Sequence, residues 1–202
     1  MRGESMTILP VDEINAMKDR LKVHFTDGED GKPGTGRIKS KEDCEDIIDE
    51  LLDLFLLSYA NGATATNTEL GTALMPSVDA VDAAVNAPVA GKTWRERVED
   101  YYESGGSLYD ITRIAETDAT RIYNQGAVDA VVANGATSSV SKRWRTMNDD
   151  RVRDTHDYLE GMMVPFNSRF YTYDGDSAEY PGGFALPENN INCRCVVEVI
   201  RG

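Results

Sequence analysis

The residues equipped for chemistry are concentrated in two short stretches. Trp144-Arg-Thr-Met-Asn-Asp-Asp-Arg-Val-Arg-Asp-Thr-His156 mixes one indole with the carboxylates of Asp149, Asp150 and Asp154. It also carries the guanidiniums of Arg145, Arg151 and Arg153 and one of the chain's two histidines. Further on, Ile191-Asn-Cys-Arg-Cys195 separates two thiols by a single arginine. The mixture is too dense for an ordinary amphipathic helix, so the two stretches are expected to meet in space.

Several chemistries fit those residue types. His156, Cys193 and Cys195 supply one imidazole and two thiols, Asp154 or Asp157 could add a carboxylate, and zinc accepts such a set. The spacing argues against it. Structural zinc sites usually use C-x₂₋₄-C, C-x-C strains two ligands on one tetrahedral ion, and Arg153 and Arg194 bring positive charge beside the cation. The alternative places Cys193 and Cys195 on one face of the last strand, with His156 hydrogen-bonded to a nearby acid or carbonyl. A Cys–His nucleophilic pair, with Arg194 lowering a thiol pKa, is chemically reasonable. It lacks an identifiable orienting group and oxyanion donor. The H-x-E…P-C-x-x-C, H-E-x-x-H and G-x-S-x-G patterns do not occur. The preferred reading is structural, with bidentate arginine–carboxylate bonds among Asp149, Arg151 and Arg153 fixing loops. Trp144 and Phe170 would supply buried aromatic mass, and Asn192 would pin the tail. No residue is assigned as catalytic, cofactor-binding or metal-ligating, and no cofactor is expected.

The elements that must position these residues divide the chain in two. Residues 1–90 form a helical region with flexible loops. Ile14, Met17 and Leu21 mark a helix over about 11–23. His24 reads as a helix-face residue, and Asp27 to Gly36 as a glycine-rich loop. Ser40 caps a second helix striped by Ile47, Ile48, Leu51, Leu52 and Phe55, its outer face loaded with acids that suit the N-terminal dipole. Asn61 to Pro76 is expected to be a loop. Ser77 starts a short alanine-rich helix that Pro88 stops. Thr93 and Glu96 form a capping box. Ser107 opens the longest helix, about 107–134, along which Ile111, Ala115, Ala119, Ile122, Gly126 and Ala130 line up as a narrow stripe. Residues 137–202 are expected to form a compact α+β unit. Short antiparallel strands at 140–146, 162–166, 169–173 and 195–200 would surround a helix over 150–161. The fold class is therefore α+β, with a mostly helical N-terminal part and a small C-terminal α+β unit.

With 202 residues, 41% of them hydrophobic and 28% charged, the composition is that of a globular protein able to bury a core. The net charge of −14 repels phosphate backbones, so non-specific DNA binding is not expected, and no direct sequence-specific nucleic-acid binding is expected either. Lys142, Arg143, Arg145, Arg151 and Arg153 form a basic island, read as solvated or acid-paired. No apolar run approaches the ~20 residues of a membrane span. The N-terminus Met1 to Thr7 lacks an apolar leader, which places folding in a cytoplasm. The three cysteines, Cys44, Cys193 and Cys195, are too few and oddly numbered for a disulfide framework, so reduced thiols are expected.

The order Trp144, Asp149-Asp-Arg-Val-Arg153, His156, Leu159, Gly161, Phe170, Pro181-Gly182 and Ile191-Asn-Cys-Arg-Cys195 resembles the phage Mu protein F-like family. These are the minor head or head morphogenesis proteins of tailed bacteriophages. The resemblance extends upstream to Ile111-Thr-Arg-Ile-Ala-Glu-Thr117, Arg121 and Asn124, covering roughly residues 92–200. It implies a low-copy structural component of the virion that acts in head assembly, partnered by portal and other capsid proteins and associated with DNA packaging or delivery. It also implies a place in the host cytoplasm during assembly and then in the phage head. The family's domain also occurs fused to portal or toxin modules. Because this sequence stops at Gly202, just past the motif, no C-terminal effector is expected. The resemblance implies no catalytic residue. The competing expectation is a metal- or thiol-dependent enzyme, or a packaged effector, using His156 with Cys193 or Cys195.

Overall fold

A computed structural model describes residues 11–202 of the chain. The leader reading of Met1 to Thr7 lies outside these residues. Helix α1 (Val11–Leu21) buries Ile14, Met17 and Leu21 and passes into a 3-10 turn at Lys22–His24. His24 Nδ1 lies 3.0 Å from Asp43 Oδ1, so the histidine ties this turn to the start of the next helix. Isolated bridges at Phe25–Ile38 and Arg37–Ser107 flank the glycine-rich loop.

Helix α2 (Lys41–Leu70) begins where expected, with Asp43 N donating to Ser40 Oγ. It runs past Asn61, where loop was expected, and stops only at Gly71, whose φ of 68° suits a left-handed C-cap. The reason is tertiary. A run of Asn, Gly and Thr has weak helix propensity, but here it is the contact surface for α5 (Leu108–Ala133). A Cβ at Gly62 would sit 1.9 Å from the Tyr123 carbonyl oxygen, and one at Gly126 would sit 2.3 Å from that of Tyr59. Thr66 Oγ1 donates to the Ala127 carbonyl at 3.0 Å. The small residues let the two backbones touch, and packing outweighs propensity. The helices run in the same direction, since Arg37 pairs with Ser107 before their starts and Asn134 Nδ2 donates to Asn67 Oδ1 near their ends.

Between them, α3 (Val78–Asn86) is capped by Ser77 and α4 (Trp94–Ser104) by the reciprocal Thr93–Glu96 box. Asp110 Oδ2 accepts from both N and Oγ of Ser107 at the start of α5. One apolar cluster joins α1, α2, α3, α4 and the first half of α5, and in it the rings of Phe55 and Trp94 meet edge to face at 5.1 Å. Within it, the fully buried Asp118 accepts from Arg97 Nη2 at 2.6 Å and from Arg121 Nη2 at 3.3 Å.

The second half of α5 carries Ala127, Val128 and Val131 into the other apolar cluster. Here β1 (Val140–Arg145) is the centre of an antiparallel sheet with β2 (Met163–Pro165) on one side and β5 (Val196–Arg201) on the other. Trp144 pairs with Val197, and Arg143 with both Glu198 and Met163. A separate hairpin pairs β3 (Phe170–Tyr171) with β4 (Ser177–Ala178). The expected α+β class is therefore present, helical first and sheet-bearing last.

Two local readings are corrected. The helix expected over 150–161 is only α6 (Asp154–Asp157), because the preceding residues are drawn out to meet the tail. The last strand starts at Val196, so Cys193 and Cys195 lie in the turn before it and not on its face.

Candidate functional site

Alternation along β1 sorts the basic island. Arg143 and Arg145 face outward, where Arg143 pairs with Glu198 at 2.8 Å and Arg145 with Glu160 at 2.9 Å. Lys142 and Trp144 face inward and are buried. The Lys142 ammonium lies over the rings of Phe166 and Phe170, 5.5 and 5.6 Å from their centroids. Burial lowers its pKa to about 8.

The two chemically dense stretches do meet. Arg194 makes a two-pronged bond to Asp149, with nitrogen–oxygen distances of 2.6 and 2.8 Å. Arg194 was not among the arginines expected to pair with this carboxylate. Arg151 contributes only its backbone N–H, which donates to Asp149 Oδ1 in an Asx turn. Arg153 Nη2 donates to the Ile191 carbonyl at 2.7 Å. The Asn192 side chain does not pin the tail as expected. Instead the residue adopts a φ of 58°, and its N–H donates to Thr117 Oγ1. That left-handed kink turns the chain so that the next residues point inward.

The consequence is a buried group of three side chains. His156 Nδ1 lies 3.5 Å from Cys193 Sγ and 3.6 Å from Cys195 Sγ. All three ligand-type atoms lie within 4.8 Å of one another. Among the described residues, neither Asp154 nor Asp157 joins the group, contrary to the fourth-ligand expectation. Among the described residues, the His156 ring bonds no acid or carbonyl either; its Nδ1 faces the two sulfurs. The imidazole stacks on Phe184 at 5.3 Å and meets Trp144 edge to face at 5.3 Å. A hydrogen bond between the thiols and the neighbouring imidazole pull the Cys193 pKa well down. The same thiol–thiol bond and burial push that of Cys195 up. A narrow cleft lined by Met147, Arg151, Val152, Arg153, Asn192 and Arg194 leads to the group.

Two supports had no structural role assigned from the sequence. Asn124, fully buried on α5, donates to the Pro181 carbonyl at 2.9 Å and the Cys195 carbonyl at 3.0 Å, and accepts from Val197 N at 2.7 Å. One amide thus fixes both the tail and the loop before α7 (Pro187–Asn190). Asp176 holds that loop from the other side, accepting from Leu186 N, Asn189 Nδ2 and Ser177 N. Burial alone would raise its pKa, but the Asn189 amide and these N–H groups hold it below the usual carboxylate range. The sequence singled out Asn124 only as one of the residues that carry the family resemblance, with no sign of its bonds.

Residues 79–198 match the family described as Phage Mu protein F like protein, and the chain belongs to that family. The match runs from α3 through the first half of β5 and contains every residue of the buried group. The chain is similar to the NAD(+)–arginine ADP-ribosyltransferase EFV of Enterococcus faecalis, 29% identical over 150 residues, covering 58% of this chain and 31% of that protein. It is also similar to the minor head protein of Bacillus phage SPP1, 26% identical over 97 residues, covering 48% of this chain and 32% of that protein. The chain thus spans about a third of the length of these relatives. No solved structure matches it.

Proposed function

We propose that this chain is a structural component of a tailed-phage head, a minor head protein that acts in head assembly beside the portal and the packaged DNA. The observation that carries this reading is the family match over residues 79–198, together with the similarity to a phage minor head protein. The described part of the chain supports it physically. Its conspicuous polar residues are consumed in holding the fold: Asp149 by Arg194, Arg153 by Ile191, Asn124 by three backbone groups. A thiol nucleophile would need an accessible sulfur, whereas Cys193 and Cys195 are each 3% exposed. The transferase name belongs to a protein of which the shared segment is under a third, so the two proteins share a module.

In this reading His156, Cys193 and Cys195 are part of a clasp and perform no catalysis. The partners are capsid and portal proteins, and the destination is the virion. No described helix is long and apolar enough to cross a membrane. The test is a pull-down of the full chain with the portal protein encoded beside it, combined with mass spectrometry of purified virions. Recovery in both supports the proposal. Absence from virions removes the head reading, and presence in virions without portal capture removes the portal contact alone.

A further inference from the structure

In the sequence, the C-x-C spacing and the charges of Arg153 and Arg194 speak against a metal at His156, Cys193 and Cys195. The kink at Asn192, with φ of 58°, nevertheless brings both sulfurs to one imidazole nitrogen, while Arg194 is bonded to Asp149 and Arg153 to the Ile191 carbonyl. The resulting distances are specific. A tetrahedral zinc with Zn–S of about 2.3 Å and Zn–N of about 2.0–2.1 Å separates its nitrogen and sulfur ligands by about 3.5–3.6 Å. The observed Nδ1–Sγ distances are 3.5 Å and 3.6 Å. The two sulfurs lie within 4.8 Å of each other, and two zinc-bound sulfurs stand about 3.8 Å apart.

With Nδ1 unprotonated the imidazole offers one lone pair there, so only one of the two thiols can donate to it. A cation bonded to all three atoms uses each lone pair once. We propose that His156 Nδ1, Cys193 Sγ and Cys195 Sγ bind one zinc ion, with the fourth position facing the cleft and taken by water. Binding releases the two thiol protons to solvent and leaves a dication balanced by two thiolates and a neutral imidazole. Soft sulfur with imidazole in a tetrahedral setting selects zinc over magnesium or calcium. The Asp149–Arg194 bond and the Asn124 bonds to the Cys195 carbonyl and Val197 hold the ligand-bearing turn in place. The inference stands on this geometry and does not depend on the head-protein reading.

The experiment uses the full chain, freed of any histidine tag and purified without chelator. Elemental analysis is expected to find one zinc per chain. Cobalt exchanged into the site is expected to show thiolate-to-cobalt charge-transfer absorption and the intense visible bands of a tetrahedral ion. Cys195→Ser and His156→Ala should lose the metal, while Cys44→Ser, altered on α2, should keep it. Chelation should lower the melting temperature of the unaltered chain and restored zinc should raise it. Folding failure in the variants does not obscure the result, because the cobalt spectrum is read on the unaltered chain. A folded chain that retains no zinc after loading and gel filtration, and gives no thiolate–cobalt band, overturns the proposal.

Discussion

Asn124 satisfies three backbone groups from a position with no solvent access. Asn124→Asp keeps the shape but removes both donors, strands two carbonyls and buries a charge. It is expected to destabilise the protein by on the order of 3 kcal/mol, read as a fall in urea midpoint. A midpoint equal to that of the unaltered chain would show that the amide is not holding the tail. Lys142 offers a test by pH. Its pKa is lowered from 10.5 to about 8 in the folded protein, so between those values the unfolded chain binds more protons than the folded one. Stability therefore rises with pH across that window, and the cost of the buried charge is fully present below it. Lys142→Met should raise stability at neutral pH by on the order of 1 kcal/mol, because the ring faces already offset part of the burial. It should also flatten the rise between pH 8 and 10.5. Chemical denaturation at a series of pH values checks both parts, and an unaltered slope in the variant would assign the effect to another group.

At the scale of elements, the contact between α2 and α5 is the joint on which the rest is hung. Gly62 and Gly126 allow it because the backbone of each faces a carbonyl of the other helix, leaving no room for a Cβ. Gly62→Ala would improve helix propensity by about 1 kcal/mol in an isolated helix. Here it should instead cost on the order of 3 kcal/mol through forced separation. Thermal unfolding of the variant decides the sign, and a rise in melting temperature would mean that the helices can move apart freely. The α4 cap is a milder case. Thr93→Ala removes one acceptor for Glu96 N and one donor to the Glu96 carboxylate, at an expected cost of about 1 kcal/mol. A loss within error of zero would show that the start of α4 is held by Trp94 packing alone.

At the scale of the molecule, α2 and α5 each contribute to both apolar clusters. Neither cluster can come apart without exposing part of a helix that the other needs, so unfolding is expected to be a single cooperative transition. The two tryptophans make this testable, since Trp94 lies in one cluster and Trp144 in the other. Fluorescence of Trp144→Phe reports the first cluster and that of Trp94→Phe the second. Each transition should coincide with the loss of helical signal measured on the same variant. Separate transitions within one variant would divide the chain into two units.

The sequence alone determined where most elements begin. Ser40, Ser77, Thr93 and Ser107 announce four helices, because an N-cap is a local device that needs only its neighbours in the chain. The alternation of β1 and the α+β order were legible for the same reason, and the family was legible from the spacing of the two motifs. Only the tertiary structure decided that Asn61 to Leu70 is helix, since its stability comes from a partner helix distant in sequence. Only the fold decided the pairing of Asp149 with Arg194 and the triple role of Asn124. The geometry of the thiols was likewise beyond the sequence. C-x-C spacing specifies a distance along the chain, whereas a left-handed residue at Asn192 and an anchor from α5 decide where two sulfurs point.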